Sequence, residues 1–448
     1  MTKDYAIYVH IPFCKARCGY CAFSSCTNFA LQNDYFDALC SEISHAKTCD
    51  DVAIRTMFWG GGTPSAVNLK YLQKLHCALQ KFDLSNLKEF TVELNPESTT
   101  KELLQFLKSI GVNRLSFGLQ SANDSTLKKI GRLHNYQGFL TALNLARQCG
   151  FSNINADLIL GLPESFDEFR NTIEQVCRLP LEHISLYALE IHSEKTAFKA
   201  LCDSYGYTDD DLADMYVYAL EKLEKAGFLR YEVSNFAKAG CCCQHNLTYW
   251  REGRYFGFGA SASGFVENVR YGNAYDIEQY IDDARAKFGV VGSVALDKHE
   301  QSASKIGVET PLADANEATV NKNDYQQAFN KITSSDESPD EVNTNYENTN
   351  GGHANKLESF QLGVATEYCD VISLQEEMSE FAMLGLRLTD GVSLAEFSSR
   401  FGKDFFTQFP QGVNLVQQGF LQMANGRLFV PKEKFYVLNS ILVELLPD

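Results

Sequence analysis

The sequence of 448 residues contains no stretch that approaches the roughly 20 uninterrupted apolar residues of a membrane-spanning helix. It also lacks an excess of positive charge, because 40 Lys and Arg residues stand against 57 Asp and Glu residues, for a net charge of −17. Broad electrostatic binding to nucleic acid or to anionic lipid is therefore not expected. The first residues lack the pattern of a secretory signal, since the charged pair Lys3 and Asp4 is followed at once by a strand-like run. We expect a cytoplasmic protein.

Cysteine is the residue type that is present in unexpected number, with 14 copies. In a reducing compartment these do not form a disulfide framework, so the question is which of them bind a metal. Cys14, Cys18 and Cys21 form a Cys-x3-Cys-x2-Cys run directly after a β-branched and aromatic strand. Three thiolates at this spacing suit three corners of a cuboidal iron–sulfur cluster, whereas a structural zinc site normally needs a fourth ligand. A zinc knuckle and incidental thiols stay open as alternatives, although the preceding strand favours the cluster.

A second group of possible ligands consists of residues 241–243, all cysteines, followed by His245. Adjacent residues of an extended chain point to opposite faces, so these three thiols do not easily share one ion. One thiol acting with the histidine, Cys243 for example, is the better prediction. The eight other cysteines are scattered along the sequence and are expected to be small hydrophobic residues.

His245 stands at the start of a polar and aromatic stretch that continues with Asn246, Tyr249 and Trp250. A histidine beside aromatic residues is often structural. With the two aromatic side chains one helical turn away, however, this stretch would form a flat apolar pocket with an imidazole ligand, which suits a porphyrin.

From residue 1 to about 235, short apolar strands alternate with amphipathic helices. The candidate strands are 5–11, 55–59, 89–94, 113–118, 153–159 and 183–189, and the candidate helices lie near 31–46, 66–81, 100–109, 135–149 and 165–178. Six such units predict an α/β fold in which a parallel sheet curls into a partial TIM-like (β/α)6 barrel.

Unusual residues follow the ends of five successive candidate strands. They are the cysteine loop, the glycines at 60–62, Glu93 with Asn95, Gln120, and Asp157. Because ligands of such barrels bind at the carboxyl ends of the strands, this order predicts one common site. Each residue also has a structural interpretation: the glycines form a tight turn, Glu93 occupies an exposed alternate position, and Arg132 is a solvated helix charge that would otherwise pair with a ligand carboxylate.

The remainder of the chain divides into three parts. Residues 236–296 contain the histidine stretch and connecting chain. Residues 297–372 read as an acidic, disordered insertion, since 297–370 holds 14 acidic and five basic side chains and so carries −9 of the net charge. Residues 373–448 return to helical patterns near 374–388, 393–401 and 411–418, a hairpin through Asn425 and Gly426, and a last helix. They predict a winged-helix-like α+β domain that packs or binds a partner and does not bind DNA.

These residues resemble the radical S-adenosylmethionine enzymes, within them the branch of oxygen-independent coproporphyrinogen III oxidase and a related heme chaperone. The motifs that carry the resemblance are YVHIPFC at 8–14, GGGTP at 60–64, ELNP at 93–96, SFGLQ at 116–120 and DLILGLP at 157–163. The resemblance implies that Cys14, Cys18 and Cys21 hold a [4Fe-4S] cluster whose open iron binds S-adenosylmethionine for one-electron cleavage. It also implies which residues surround that ligand. Those near its methionine and ribose parts are Tyr8, Tyr20, Gly61, Gly62, Thr63 and Glu93, and those of the deeper cavity are Gln120, Arg132 and Asp157.

Within this branch, two features favour the chaperone over the oxidase. The oxidase continues its cluster motif to a fourth cysteine, where this sequence has Phe23, and it has a longer segment than the seven residues that precede Tyr8 here. The HNLTYW sequence at 245–250 is similar to the chaperone's heme-binding motif, with Cys243 two residues before it. We therefore expect a heme carrier that uses Cys243, His245, Asn246, Tyr249 and Trp250. Its implied partners are heme and heme-acceptor proteins such as membrane-associated respiratory proteins, with oxidative decarboxylation of coproporphyrinogen III as the alternative function.

Overall fold

The computed structural model describes residues 3–46, 52–191, 196–289 and 366–446. Its centre is a run of six parallel strands that lie in sequence order. They are β1 (Lys3–Ile11), β2 (Val52–Gly61), β3 (Glu89–Leu94), β4 (Arg114–Gln120), β5 (Asn153–Leu160) and β6 (His183–Ala188). The helices between them are α1 (Gln32–His45), α2 (Leu69–Leu79), α3 (Lys101–Ser109), α4 (Asp124–Lys129), α5 (Tyr136–Gln148) and α6 (Phe166–Val176). The predicted βα alternation is confirmed, and only the short α4 is additional.

Each of these strands has an apolar face and a polar face. On β3, Phe90, Val92 and Leu94 join the main hydrophobic core with the helices, while Glu89 and Glu93 alternate with them. The same period of two places polar side chains of the neighbouring strands on the side opposite to the core. The polar surface, called the inner face below, is therefore shared by all six strands.

The sheet continues beyond both ends of this run, to 12 strands in the described part of the chain. Next to β6 lie β8 (Asn235–Ala237) and β7 (Leu229–Arg230), and next to β1 lie β9 (Arg254–Phe258), β10 (Ser263–Val266), β11 (Val269–Asn273) and β12 (Thr366–Val371). The helices of this part are α7 (Ala197–Asp203), α8 (Asp209–Lys225), α9 (Gln244–Trp250) and α10 (Ile277–Phe288).

Two features of this extension differ from the sequence analysis. The connecting region predicted for 236–296 contains the helices α9 and α10 and three strands, β9 to β11, that lengthen the sheet. Residues 366–371, which the composition placed in the acidic insertion, form the edge strand β12 paired with β11, because an edge strand needs backbone partners on only one side and tolerates charged side chains. The rest of the predicted insertion, residues 297–365, lies outside the described residues.

The C-terminal part has a hydrophobic core of its own. It consists of α11 (Leu374–Gly385), α12 (Leu394–Phe401), α13 (Phe405–Gln408), α14 (Gln411–Gln417) and α15 (Leu438–Leu445), with β13 (Val392–Ser393), β14 (Gln422–Ala424) and β15 (Arg427–Phe429). The predicted hairpin is confirmed: Asn425 and Gly426 have φ angles of 52° and 74°, as its two-residue turn requires. The predicted last helix begins as a 3-10 helix over Lys432–Val437 and becomes α-helical at Leu438.

Ion pairs join the C-terminal part to the chain that follows α9. Glu252, which is buried, lies 3.0 Å from Nη1 of Arg400, and Glu377 pairs with both Arg400 and Arg254. These contacts hold the end of α9 between the sheet and α11. None of the helices in the described ranges is long and apolar enough to cross a membrane.

Candidate functional site

The loop after β1 and the glycine turn after β2 are hydrogen-bonded side by side. The backbone N–H of Gly62 donates to Ile11 (2.9 Å), and that of Thr63 donates to Phe13 (2.9 Å). A Cβ atom at Gly62 would lie 2.6 Å from the carbonyl carbon of Pro12, and Gly61 has a φ of 102°. The glycines are therefore required by the close approach of the two loops, in addition to any approach of a ligand.

A chain of four polar contacts runs from Cys14 to Cys18, two of the cysteines of the motif. Sγ of Cys14 lies 3.3 Å from Oγ1 of Thr63, which accepts a 2.9 Å hydrogen bond from Nδ2 of Asn95. Nη2 of Arg132 donates to Oδ1 of Asn95 at 2.6 Å, and Nη1 of Arg132 lies 3.7 Å from Sγ of Cys18. Arg132 thus contacts Asn95, Cys18 and the backbone of Gly118, which contradicts its interpretation as a solvated helix charge.

The electrostatics of the cysteine loop suit thiolates that bind a cationic group. Burial raises the pKa of Cys14 to about 11 and also raises the pKa of Cys21, so these side chains ionise only beside positive charge. Among the described residues, no three His, Cys, Asp or Glu side chains converge on the position of a single ion. A cuboidal cluster takes each thiolate on a different iron, so its three cysteine ligands need not converge on one point. The donor set fits that cluster.

Two carboxylates, Glu93 on β3 and Asp157 on β5, lie on the inner face on either side of β4. Oε2 of Glu93 accepts a 3.0 Å hydrogen bond from the backbone N–H of Gly61. Burial and the nearby charge of Asp157 raise the pKa of Glu93 to about 8. Burial also raises the pKa of Asp157, which accepts hydrogen bonds from Asn155 (2.7 Å) and Ser116 (3.2 Å). Both side chains retain accessible surface, so they are suited to a ligand's ammonium or hydroxyl groups.

The remaining residues predicted at this end are brought to the same region by three different elements. The hydroxyl of Tyr8 on β1 lies 3.0 Å from Nδ1 of His10. Tyr20 packs on a small apolar cluster that includes Ile130 and Leu162. Gln120 ends β4 with a φ of 71°, an unusual value for a residue with a side chain. The contacts of Gly61 with Glu93, and of Arg132 with Asn95 and the backbone of Gly118, bring the ends of β2, β3 and β4 together.

The histidine stretch lies at the opposite, amino-terminal end of the strands. His245 is 1% exposed; its Nδ1 lies 2.9 Å from Oγ1 of Thr56 and its Nε2 lies 2.7 Å from the hydroxyl of Tyr249. Its ring stacks on Phe58 with the centroids 5.2 Å apart. Both ring nitrogens are therefore engaged, and burial lowers the pKa of His245 to about 3.

Cys243 is also fully buried, at the N-cap of α9. Its Sγ lies 3.4 Å from Oε1 of Glu89, the first residue of β3, which also accepts hydrogen bonds from the backbone N–H groups of Gln244 and His245. Burial raises the pKa of the Cys243 thiol. Asn246 and Trp250, on the same helix, are half-buried.

Three residues that contact this stretch were not predicted from the sequence: Thr56, Glu89 and Tyr231. Glu89 stands four residues before Glu93 on the same strand. Residues separated by an even number along a strand lie on one face, so the sequence could have indicated that Glu89 shares the inner face with Glu93.

The parallel βα sheet with a Cys-x3-Cys-x2-Cys loop after its first strand defines a class of protein. The family model described as the radical SAM superfamily matches residues 8–176, and that of the HemN C-terminal domain matches residues 372–435. Membership of this superfamily implies a [4Fe-4S] cluster and S-adenosylmethionine, which the donor set after β1 fits.

More narrowly, the chain is 40% identical over 287 residues to the heme chaperone HemW of Bacillus subtilis (strain 168), covering 61% of this chain and 74% of that protein. It is 35% identical over 274 residues to the heme chaperone HemW of Escherichia coli (strain K12), covering 58% and 70% of the two chains. The chain belongs to the HemW family.

Among solved structures, that of the coproporphyrinogen III oxidase HemN from Escherichia coli, described as a radical SAM enzyme, is similar with a TM-score of 0.71. The alignment covers 99% of this chain and 90% of that chain at 18% identity. This similarity shows that the two proteins share a fold.

Proposed function

We propose that this protein is a heme carrier that binds heme and passes it to acceptor proteins, and that it holds a [4Fe-4S] cluster and S-adenosylmethionine at the carboxyl ends of its strands. The observation that carries the proposal is the pairing of a complete cysteine loop with the Cys243–Trp250 segment in a chain of the HemW family. Its relatives are named heme chaperones.

At the strand ends, Cys14, Cys18 and Cys21 would hold the cluster. When bound, the cluster supplies one electron and an iron with open coordination positions. Thr63 and Asn95 fix the side chains of Cys14 and Arg132 through the hydrogen bonds described above. Arg132 places its guanidinium beside Sγ of Cys18.

The residues around the cavity supply the groups that an amino acid sulfonium ligand requires. The carboxylate of Glu93 suits the ammonium or the ribose hydroxyls, and the guanidinium of Arg132 suits the carboxylate. The other residues that we assign to S-adenosylmethionine are Tyr8, Tyr20, Gly61, Gly62, Thr63, Gln120 and Asp157.

At the opposite end, we assign heme binding to His245, with Cys243, Asn246, Tyr249 and Trp250 around it. Neutral imidazole is the form that binds iron, and the lowered pKa of His245 keeps the ring neutral. Because both nitrogens are paired in the closed arrangement, binding requires Nε2 to exchange its hydrogen bond with Tyr249 for the heme iron. Heme binding at this site therefore includes an opening of α9.

A heme titration of the reconstituted protein tests this assignment. Wild-type protein is expected to give a saturable change in the Soret band, and His245→Ala is expected to lose it. His134→Ala, which removes another buried histidine, is the matched control and is expected to bind heme normally. No saturable change in wild-type protein, or equal binding by His245→Ala, contradicts the proposal.

The alternative function is anaerobic oxidative decarboxylation of coproporphyrinogen III, favoured by the presence of the polar residues Glu93, Arg132 and Asp157 around one cavity. Phe23, which replaces the oxidase's fourth cysteine, is 53% exposed beside the cysteine loop. Formation of protoporphyrinogen by protein with an intact cluster would support this activity, and its absence would favour the carrier.

A further inference from the structure

A line of hydrogen bonds crosses the inner face from the start of α9 to Asp157. The backbone N–H of Cys243 donates to the hydroxyl of Tyr231 at 3.2 Å. That hydroxyl lies 2.9 Å from Nε2 of His183, and Nδ1 of His183 lies 2.7 Å from Oδ1 of Asn155. Nδ2 of Asn155 donates to Oδ1 of Asp157 at 2.7 Å. Four contacts thus connect the two ends of the strands.

The carboxylate at the end of this line fixes the direction of every donor in it. A carboxylate accepts, so Asn155 turns its NH2 group toward Asp157 and its Oδ1 toward His183. His183 then carries its proton on Nδ1 and donates to Oδ1 of Asn155. Nε2 of His183 consequently accepts from the hydroxyl of Tyr231, whose oxygen accepts from the backbone N–H of Cys243.

The surroundings of the middle residues support this order. His183 is fully buried and Asn155 is 1% exposed. Burial, together with the charge of Arg114, lowers the pKa of His183 well below its usual value, so the ring is neutral as the order requires. Nδ2 of Asn155 also lies 2.7 Å from Oγ of Ser116 and 3.0 Å from Oγ of Ser185. A reversed amide would place two oxygen acceptors, its own and that of Asp157, against each other.

We propose that Tyr231, His183 and Asn155 are positioning residues that orient Asp157 for S-adenosylmethionine, and that this orientation depends on the N-terminal backbone of α9. The inference rests on the proposed binding of S-adenosylmethionine at Asp157. Outer hydrogen-bond partners of this kind fix the geometry of a ligand-binding group without touching the ligand. The proposed ligand site at the carboxyl ends of the strands therefore depends on α9, which lies at their amino ends.

The test is the affinity of the cluster-loaded protein for S-adenosylmethionine, measured by equilibrium dialysis. Tyr231→Phe removes the second member of the line and is expected to weaken binding roughly five- to tenfold, as is His183→Leu. His183→Asn keeps an N–H donor near the position of Nδ1 and is expected to recover most of the affinity. A purely structural role for His183 does not predict this recovery.

Tyr271→Phe is the matched control, since Tyr271 is a buried tyrosine whose hydroxyl contacts only the backbone of Gly257 among the hydrogen bonds described. It is expected to bind S-adenosylmethionine as the wild type does. Affinities of Tyr231→Phe and His183→Leu within twofold of wild type overturn the inference, and so does equal weakening by His183→Asn and His183→Leu. Absence of binding by wild-type protein with a full cluster instead overturns the proposed function. The iron content and melting temperature of each variant show whether it is folded and contains the cluster. If a variant fails either criterion, its result is replaced by the comparison of His183→Asn with His183→Gln.

Discussion

The two ends of the inner face differ in how ready their polar groups are to receive a ligand. At the carboxyl ends, Cys14, Cys18 and Cys21 are partly accessible. At the amino ends, Cys243 and His245 are 0% and 1% exposed and their polar atoms contact other protein groups. The side chains of the first end are accessible, and on the proposed assignment the second end is closed and must rearrange to bind heme.

The chain connectivity explains this difference. After each parallel strand the chain leaves the sheet through a loop, and these loops surround a cavity mouth. At the other end, the segment that contains Tyr231 and α9 returns across the strand starts and pairs with Glu89, Thr56 and His183. Because buried polar groups are costly without partners, each of these contacts stabilises the closed arrangement. On the proposed assignment, the free energy of opening lowers the affinity of this end for heme.

The largest expected effect is at the open end. Replacing Cys14, Cys18 and Cys21 together with serine is expected to abolish cluster binding, since a hydroxyl does not replace a thiolate as an iron ligand. Iron and sulfide analysis after reconstitution measures this. Cys26→Ser is the control, because Cys26 pairs with Cys14 only through its backbone, and it is expected to keep full iron. Substantial iron in the triple variant would show that other residues hold the cluster.

A smaller effect concerns pH at the same end. The pKa of Glu93 is raised to about 8 from an ordinary 4.5, mainly by burial, so the carboxylate form grows as pH rises. We expect the affinity for S-adenosylmethionine to increase by roughly 25-fold between pH 6.5 and pH 8.5, relative to Glu93→Gln. The free energy of unfolding is expected to change in the opposite direction. Because folding raises the pKa of Glu93, this carboxyl group stabilises the folded protein at low pH, and the stabilisation is lost as the pH rises from 4.5 toward 8. Equal pH profiles for wild type and Glu93→Gln would exclude this role of Glu93.

The smallest effect is expected at the closed end. Tyr249→Phe keeps the aromatic ring and removes the hydroxyl that occupies Nε2 of His245. Loss of one competing hydrogen bond of about 1 kcal/mol should strengthen heme binding by about fivefold. Heme titrations of the variant and the wild type give the comparison. Weaker binding by Tyr249→Phe would mean that the hydroxyl contacts heme itself and that the site is not closed by this bond.

The open end was more predictable from the sequence than the closed end. The βα alternation orders the strands as the structure has them. The carboxyl ends of parallel strands meet at one edge, so Glu93, Gln120 and Asp157 are predicted to lie there from their positions alone. Arg132 was ambiguous because an arginine after a helix is most often solvated, and only the contacts with Asn95 and Cys18 decide its role.

The closed end depends on contacts between residues far apart in the sequence. Glu89 and Cys243 are separated by 154 positions, and a charged residue at the start of a strand resembles an exposed one. The strands β9–β11 were not predicted from the sequence, also because of contacts between distant residues. Gly257, Gly264 and Gly272 lie within them, since backbone or aromatic atoms of neighbouring strands occupy the space that a Cβ would need, and glycine usually predicts a turn.

The separation of the two ends is tested most directly by titrating heme into the Cys14, Cys18 and Cys21 triple serine variant and into His245→Ala, with the iron content of both measured after cluster reconstitution. The triple variant is expected to lack the cluster and to bind heme with wild-type affinity, while His245→Ala is expected to keep the cluster iron and to lose the saturable Soret change. Loss of heme binding in the triple variant, or retention of it in His245→Ala, would contradict the assignment of cluster and heme to opposite ends of the strands.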